Sequence, residues 1–475
     1  MSNFSNKKYF LLFACVLSIA GFNIFFRLGS TKAHSWDEST YGVDAYEMIQ
    51  NNEYIITTFG EDTDDHHSLK PPLGLWLIIA GYKLFGYNLF ALRFASAISG
   101  FGCIVIIMLI LYRKNLKMEA LISGLVLATT YSFLCHHSAR SGEYDVLLTF
   151  FICISVLSIE TVKNNSLKSA TVGLMISLSF LLKSFAAIYL ILIVILYIFI
   201  SKRYKEFKIN HLILLILFSL APILAWGYLR YIKDGYSFLQ KMVQLDLLER
   251  TTRAVHGHSG GYSYYFIKMM EKNWYWILTF LSTLFLIRKK INSGVIKKHV
   301  LYVIWFLVPI TVATFIKTKL SWYIVPSYPA LAIITALSIG IYLKDKNIQK
   351  KNKKILVAVI LLITLGAEVR ITSKILSRQP TNFHKALKQI PSQLYEGCNI
   401  YSNYWSQSNI FIAKVVNGFN YAFCDNFKEG FLPKAIHNDV FMGKEKDINV
   451  KNKDELTVIA AYKDWLVIKK RDNPR

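Results

Sequence analysis

Ionisable side chains recur where long apolar segments of the chain end, and their types and spacing could support chemistry. Basic loops occupy the alternate breaks between these segments, so this set falls on the opposite side. Its members are Asp37, Glu38, His66, His67, Lys70, Arg93, His136, His137, Arg140, Glu143, Asp145, Lys183, His256, His258, Lys317 and Lys319. Charges beside a hydrocarbon phase are costly unless they are paired or functional. We therefore expect them to share one polar cavity at the membrane boundary.

The residue types in this set combine a proton acceptor with groups that hold an anion. A carboxylate such as Asp37 can act as a general base, and lysine and arginine side chains can bind phosphate oxygens. Cations in such a site stabilise the negative charge that develops on a departing phosphate. The combination predicts a reaction on a lipid-linked phosphate, and the sequence carries no P-loop or dinucleotide-binding fingerprint.

The elements that must position these residues are membrane-spanning helices. The 475-residue chain is 53% hydrophobic and only 18% charged. Apolar runs of roughly 16–23 residues, about the length that crosses a hydrocarbon core, recur along its first 371 positions. The sequence predicts a polytopic α-helical membrane protein.

The placement of the net charge of +25 argues for a membrane topology and against nucleic-acid binding. The basic residues gather in short loops at every second break between apolar segments, as cytoplasmic loops do. These loops are residues 7–8, 113–117, 163–168, 202–208, 288–298 and 344–354. Residues 29–69, in contrast, contain nine carboxylates and one basic residue, Lys32, and are expected outside.

Applying this charge rule yields about eleven spans. They are residues 9–28, 90–112, 119–134, 146–162, 169–183, 185–200, 210–231, 273–287, 299–316, 322–343 and 355–371. The first is expected to be retained rather than cleaved as a signal peptide. Residues 72–86 are apolar but too short to cross, and they predict an interfacial helix. Residues 29–89 and 232–272 form the two large external loops.

The predicted domain organisation is a transmembrane domain at residues 1–371 and a soluble external domain at residues 372–475. The second domain contains short strand-like runs at residues 399–401, 456–461 and 465–468, which predict a small α/β fold. Cys398 and Cys424 lie in this domain, where an oxidising compartment would allow a disulfide.

Several segments resemble a known family in matching order across residues 1–345. They are SWDESTYGVDAYEM, LKPPLGLWLIIAGYKLFG, ALRFASAISG, SARSGEYDVLLTFF, FLLKSFAAIYL, GHSGGYSYY and TKLSWYIVPSYPALAI. They are similar to bacterial membrane glycosyltransferases related to protein O-mannosyltransferases, a group that includes the lipid A aminoarabinose transferases. The resemblance implies a C-type glycosyltransferase fold that uses a polyprenyl-phosphate sugar on the outer side of the membrane.

The resemblance also assigns expected roles to individual residues. Asp37 matches the catalytic acidic position and Asp145 the second acidic position, while Lys70 matches the lysine associated with the donor phosphate. Lys183 matches a lysine that the family usually follows with glycine, although Ser184 follows it here. The remaining matches are Arg140 near Asp145, and His258 or His256 at a histidine of the later external loop. Glu38 and Lys319 are further candidates by position.

One departure from the family concerns a metal site. Aminoarabinose transferases carry glutamate immediately before the KPP lysine, where it is implicated with the histidine in metal binding, and this chain has Leu69. His66 or His67 could replace that ligand, with His258 as the third candidate. The sequence therefore leaves a divalent metal open and weakens the aminoarabinose assignment.

Each candidate residue also has a structural interpretation. Asp37 could cap the helix that follows it, and Glu38 could be a helix-start charge that the helix dipole favours. Lys70 could be an interfacial lysine, and Asp145 could pair with Arg140. His258 could be a turn residue, and the aromatic residues of SWYIVPSY could form an interfacial belt rather than a sugar platform.

Two function classes follow from these features. The first is a multi-pass glycosyltransferase of the cytoplasmic membrane that moves a sugar from a polyprenyl phosphate to an envelope lipid, glycan or protein. Direct displacement would invert the anomeric configuration. Asp37 would be the base, with Lys70, Arg140 and Lys183 on the phosphate. The alternative is a transporter or flippase of lipid-linked glycans, which predicts charges near the bilayer midplane and paired repeats.

Overall fold

The computed structural model describes residues 6–56, 70–135, 137–390, 398–427, 431–432, 439–448 and 456–470. The described chain is mainly helical and carries one small sheet near its C-terminal end. It confirms a polytopic helical protein with a small C-terminal α/β element.

The α-helices follow the apolar runs in chain order. They are α1 Asn6–Phe25, α2 Asp37–Gln50, α3 Leu73–Phe85, α4 Leu89–Arg113, α5 Lys117–Ala128, α6 Tyr131–Cys135, α7 Asp145–Thr161, α8 Asn165–Lys183, α9 Ile188–Ile200, α10 Ile209–Asp234, α11 Ser237–Lys241, α12 Arg250–Thr252, α13 Tyr264–Ile287, α14 Ser293–Phe315, α15 Tyr328–Lys344, α16 Lys350–Ser377, α17 Asn382–Leu387 and α18 Gln407–Ile410. Two π-helical segments, Met242–Glu249 and Phe411–Val416, continue α11 and α18.

Seven helical stretches within the described residues are long and apolar enough to cross a membrane. They are Lys7–Phe25, Leu89–Arg113, Asn165–Ile200, Ile209–Asp234, Ser293–Phe315, Val325–Lys344 and Lys350–Ser377. The predicted count of eleven stays a prediction, because α5 has 12 residues and α7 has 17. Helix α3, at 13 residues, matches the predicted short helix after Pro72.

The chain divides into two compact units that interleave along the sequence. Unit 1 contains Met1–Phe26, Leu69–Gly74 and Ala95–Ile375, and unit 2 contains Arg27–Ser68, Leu75–Phe94 and Leu376–Arg475. The segment around α2 and α3 therefore belongs with the C-terminal sheet, although more than 300 residues separate α2 from that sheet in sequence.

Glycines allow close helix packing within unit 1. A Cβ at Gly173 of α8 would lie 2.5 Å from the backbone oxygen of Leu215 in α10. A Cβ at Gly340 of α15 would lie 2.2 Å from the Glu119 carboxylate of α5. These contacts leave no room for a side chain, so they fix α8 and α15 against their neighbours.

The sheet of unit 2 has five strands in the order β2-β1-β3-β5-β4. The strands are β1 Asn399–Ser402, β2 Asn420–Phe423, β3 Val440–Lys444, β4 Leu456–Tyr462 and β5 Trp465–Lys470. Strand β1 pairs in parallel with β2 and β3, whereas β5 pairs antiparallel with β3 and β4. The three strand-like runs of the sequence correspond to β1, β4 and β5.

Helix α17 covers part of this sheet. Its buried Phe383 and Leu387 share a core with Ile400, Val440 and Val467. Cys398 and Cys424 are both buried thiols. The structure does not join these two described residues, so the disulfide that the sequence allowed is not formed here.

Candidate active site

A buried ion pair joins the start of α7 to the end of α8 in unit 1. The Nζ atom of Lys183 lies 2.6 Å from Oδ1 of Asp145, and the two side chains are 14% and 4% exposed. Asp145 is the first residue of α7 and Lys183 the last of α8. Ser184 then takes a positive φ of 44°, which ends the helix at the lysine. Asp145 pairs with Lys183 here, rather than with Arg140 as the sequence had suggested.

A second cation, Arg250, lies in the same cluster. Its Nη1 donates to the hydroxyl of Tyr323 at 3.2 Å, and its Nε lies 3.1 Å from Oδ1 of Asp246. The ammonium of Lys183 lies 5.8 Å from the centre of the Tyr323 ring. The hydroxyl of Ser184 donates to the other Asp246 oxygen at 2.5 Å. Tyr323 and Asp246 thus bring Lys183 and Arg250 together, and we call Lys183, Arg250 and Tyr323 the cationic cluster.

The cationic cluster has the composition of a phosphate site. Ammonium and guanidinium groups form charge-assisted hydrogen bonds with phosphate oxygens, and a tyrosine hydroxyl can add a neutral one. Asp145 and Asp246 hold the two cations in place. Such preorganised donors need little rearrangement as negative charge develops on a leaving group.

The segment that carries Lys70 packs against both sides of the Asp145–Lys183 pair. Leu73, three residues after Lys70, lies against a core cluster that includes Leu181 of α8. A Cβ at Gly74 would lie 2.2 Å from the ring of Tyr144, the residue before Asp145. Pro71 and Pro72 fix the backbone dihedral φ between these contacts and Lys70. The packing therefore brings the Lys70 segment to the helix ends that supply Asp145 and Lys183.

In unit 2, a buried network fixes the backbone that leads to Asp37. Arg93 and Glu38 are both fully buried, with Nε to Oε1 at 2.7 Å and Nη2 to Oε2 at 2.9 Å. The same guanidinium donates to the carbonyls of Leu28 and Lys32 and to the hydroxyl of Thr31. Arg93 therefore ties α4 to residues 28–32 and, through Glu38, to α2.

The charge state of Glu38 follows from this network. Burial alone would raise the pKa of Glu38, but the charge and hydrogen bonds of Arg93 outweigh burial and lower that pKa to about 2. The backbone N–H of His34 donates to Oε2 at 2.7 Å and adds to the effect. Glu38 is therefore an ionised structural partner at neutral pH, and it is a poor proton acceptor.

Asp37 is the first residue of α2 and is half-buried. Trp36 precedes it with a positive φ of 67° and is 69% exposed. Trp36, not Asp37, occupies the N-cap position, and no side chain caps the helix there. Asp37 is therefore not the N-cap of α2. Its carboxylate lies in the first helical turn, where the helix dipole stabilises negative charge.

Two predicted site cations bind backbone carbonyls at helix ends. Arg140 donates to Asn23, Ile24 and Phe26, each at 2.7 Å, at the end of α1. The ammonium of Lys319 donates to the carbonyls of Ala313, Thr314 and Ile316 at the end of α14. Helix ends leave such carbonyls unsatisfied, so these contacts give both cations a structural role.

The described residues do not assemble a metal site. They contain no group of three or more histidine, cysteine, aspartate and glutamate side chains placed to hold an ion. His258 is exposed, and its carbonyl accepts from the backbone N–H of Lys319 at 2.9 Å. His66, His67 and Leu69 lie outside the described residues.

Sequence reasoning missed Arg250, Asp246 and Tyr323 as site residues. Tyr323 belongs to the SWYIVPSY segment, which carried a signal as an aromatic run. Arg250 and Asp246 lie in the 232–272 loop among other charged residues. The sequence alone does not distinguish them from these neighbours, and only the folded structure shows that they belong to the cluster around Lys183. His137 and Glu143, which the sequence analysis named, form another ion pair in unit 1, with Nδ1 of His137 2.5 Å from Oε2 of Glu143.

The chain is similar in sequence to one described protein family and to several curated proteins. Residues 69–226 match the family described as dolichyl-phosphate-mannose-protein mannosyltransferase. A protein of Aquifex aeolicus is 26% identical over 339 residues, which cover 70% of this chain and 63% of that protein. An undecaprenyl phosphate-alpha-4-amino-4-deoxy-L-arabinose arabinosyl transferase of Wigglesworthia glossinidia brevipalpis is 25% identical over 331 residues, 67% of this chain and 56% of the relative. The match thus spans under two thirds of the length of either relative.

Solved structures share the fold along nearly the whole chain. The crystal structure of ArnT from Cupriavidus metallidurans bound to undecaprenyl phosphate aligns with a TM-score of 0.74 at 15% identity and covers 98% of each chain. The Archaeoglobus fulgidus oligosaccharyltransferase aligns with a TM-score of 0.56 at 11% identity, over 89% of this chain and 65% of that one. The chain is therefore similar in sequence to proteins described as mannosyltransferases and aminoarabinose transferases, and it shares the fold of these solved structures.

Proposed function

We propose that the protein transfers a sugar from a polyprenyl-phosphate donor to a hydroxyl or phosphate of an envelope lipid, glycan or protein. The observation that carries this proposal is the cationic cluster, in which Lys183 at the end of α8, Arg250 of α12 and Tyr323 before α15 lie together. Several relatives are named as transferases that use undecaprenyl phosphate-linked aminoarabinose. The cluster supplies the chemistry that such a donor requires at its phosphate.

The proposed mechanism is a direct displacement at the anomeric carbon. The acceptor oxygen attacks that carbon, the bond to the phosphate oxygen breaks, and polyprenyl phosphate leaves with the bonding electrons. Lys183, Arg250 and Tyr323 stabilise the charge on the departing phosphate. Asp37 takes the proton of the acceptor hydroxyl. A single displacement of this kind inverts the anomeric configuration.

The other predicted residues fall into supporting roles in this proposal. Lys70 contributes a further cation to the phosphate, because its segment packs beside the Asp145–Lys183 pair. Asp145 orients Lys183 through the 2.6 Å contact instead of acting as a second base. Arg140 and Lys319 are left out of the phosphate set because backbone carbonyls occupy them.

We place the reaction on the outer face of the cytoplasmic membrane. The alternation of basic loops supports this orientation through the positive-inside rule. A lipid-linked donor also supports it, because the polyprenyl tail stays in the bilayer and presents the phosphate at the interface. The C-terminal sheet would then lie outside as well.

The test is transfer by the purified protein in detergent, where no compartments exist. The assay supplies a labelled polyprenyl-phosphate sugar together with an acceptor fraction from envelope lipids and glycans. Release of polyprenyl phosphate with label in the acceptor supports the proposal. A transporter or flippase would form no product without compartments, and that result would refute transfer. Mass spectrometry of envelopes from deletion and complemented cells would then identify the acceptor.

A further inference from the structure

Unit 2 joins α2, which begins with Asp37, to a helix of the C-terminal sheet domain. The crossover helix that connects β1 and β2 is formed by α18 and the π-helical segment Phe411–Val416. Ala413 of this helix lies in the core of the sheet. Three other residues of the same helix contact α2 or the residues just before it.

These three contacts occur along one stripe of the crossover helix. Gln407 accepts from the hydroxyl of Ser35 at 3.2 Å, two residues before Asp37. Phe411 is fully buried against Gly42. Lys414 lies 2.8 Å from Oε1 of Glu47. Residues 407, 411 and 414 thus all face α2 or the residues just before it.

The ion pair at the end of this stripe is partly buried. The side chains of Lys414 and Glu47 are 28% and 10% exposed. Asp44, three residues before Glu47, is fully buried, and burial raises its pKa well above the usual value, with the charge of Glu47 adding to the rise. Lys414 is the basic partner of Glu47 on this face.

The middle contact leaves no space between the two helices. A Cβ built at Gly42 would lie 2.6 Å from the Phe411 ring, and the Tyr82 hydroxyl donates to the Gly42 carbonyl at 3.0 Å. Closely packed interiors transmit displacements instead of absorbing them. A shift of the crossover helix would therefore shift α2.

We propose that Lys414, with Phe411 and Gln407, is a positioning element that sets the place of Asp37 through α2. This inference rests on the proposed function of Asp37 as the base. The C-terminal domain then acts in the reaction through its crossover helix, in addition to any role in acceptor binding. A base that must reach one hydroxyl is sensitive to small displacements, since an error of about 1 Å can cost about a hundredfold in rate.

The first test is Lys414→Met in the full-length protein, with Lys388→Met as the control. Lys388 is exposed on the same domain, at the end of α17. We expect kcat of Lys414→Met to fall about tenfold or more, with KM for the donor unchanged. Lys414→Arg should recover most of the activity, and Lys388→Met should match the parent. Unchanged kcat in Lys414→Met would overturn the inference, as would an equal loss in Lys388→Met.

The second test uses the close contact and does not depend on charge. Gly42→Ala pushes against Phe411, although alanine favours the helix itself more than glycine does. We expect Gly42→Ala to lower kcat, and Phe411→Leu in the same chain to restore it by making room. Full activity in Gly42→Ala, or no rescue by Phe411→Leu, would contradict the inference. An Asp37→Asn protein that retains transfer would instead refute the proposed base itself, so the two failures are distinguishable.

Discussion

Replacing Lys183 by methionine removes the cation that both pairs with Asp145 and faces Tyr323. The Asp145 side chain is 4% exposed, so its carboxylate would stay buried without its ammonium partner. Breaking a buried pair by removing one member costs about 3–5 kcal/mol of stability. Loss of the proposed contact to the donor phosphate would weaken binding by about 1.5–3 kcal/mol. That corresponds to about 10- to 150-fold weaker binding of polyprenyl phosphate.

A double variant separates these two effects. In Lys183→Met with Asp145→Leu, no charge remains buried, and replacing both partners of a buried pair by apolar residues is often close to neutral. We expect this protein to recover most of the thermal stability that Lys183→Met loses. We expect its affinity for polyprenyl phosphate to remain low, because the phosphate contact is still absent.

The assay is competition binding of a labelled polyprenyl phosphate in detergent, run beside thermal unfolding of each variant. Lys289→Met is the matched control, since Lys289 is an exposed lysine in the basic loop after α13. It should leave affinity and stability unchanged. A double variant that unfolds like the parent and binds the lipid as tightly as the parent would refute the phosphate role of Lys183.

Three further predictions follow. Tyr323→Phe removes the hydroxyl that Arg250 contacts at 3.2 Å, so donor binding should weaken by about 1 kcal/mol, or about fivefold, in the same competition assay. Arg140→Met removes the donor to the carbonyls at the end of α1, and each lost hydrogen bond costs about 1 kcal/mol of stability. Thermal stability should therefore fall, while lipid affinity stays within about twofold of the parent. A large loss of affinity would show that Arg140 does bind the phosphate. Glu38 has a folded pKa of about 2, below its ordinary 4.5, so the stability it contributes is present above pH 4.5 and is lost as pH falls toward 2. That contribution is about 3 kcal/mol; thermal unfolding against pH should show a smaller acid-induced loss in Glu38→Gln with Arg93→Met than in the parent.

The apolar pattern predicted helices well where their ends coincide with polar residues. The predicted span at residues 90–112 became Leu89–Arg113, because Asn88 and Arg113 bound the run on both sides. The predicted span at residues 119–134 ended early, at Ala128. Thr129 and Thr130 turn their hydroxyls back onto the carbonyls of Leu125 and Val126. Hydropathy does not register such local bonds.

The candidate site could be predicted only in part, because the type of a residue does not show which group its side chain will contact. Lysine and arginine bind phosphate and helix-end carbonyls with the same donors, so Arg140 and Lys319 looked equivalent to Lys183 in the sequence. The cluster of Arg250 with Tyr323 joins positions 73 residues apart. The association of α2 with the C-terminal helix joins positions 367 residues apart through Lys414 and Glu47. Such contacts follow from tertiary packing and have no local pattern.

In the proposed mechanism, Asp37 acts as the base in transfer from a polyprenyl-phosphate sugar. The most direct measurement compares the parent and Asp37→Asn for both donor binding and sugar transfer in detergent. We expect Asp37→Asn to bind polyprenyl phosphate within about twofold of the parent but to transfer sugar about 10²- to 10⁴-fold more slowly, the usual contribution of a general base. Transfer by Asp37→Asn at the rate of the parent would contradict this mechanism.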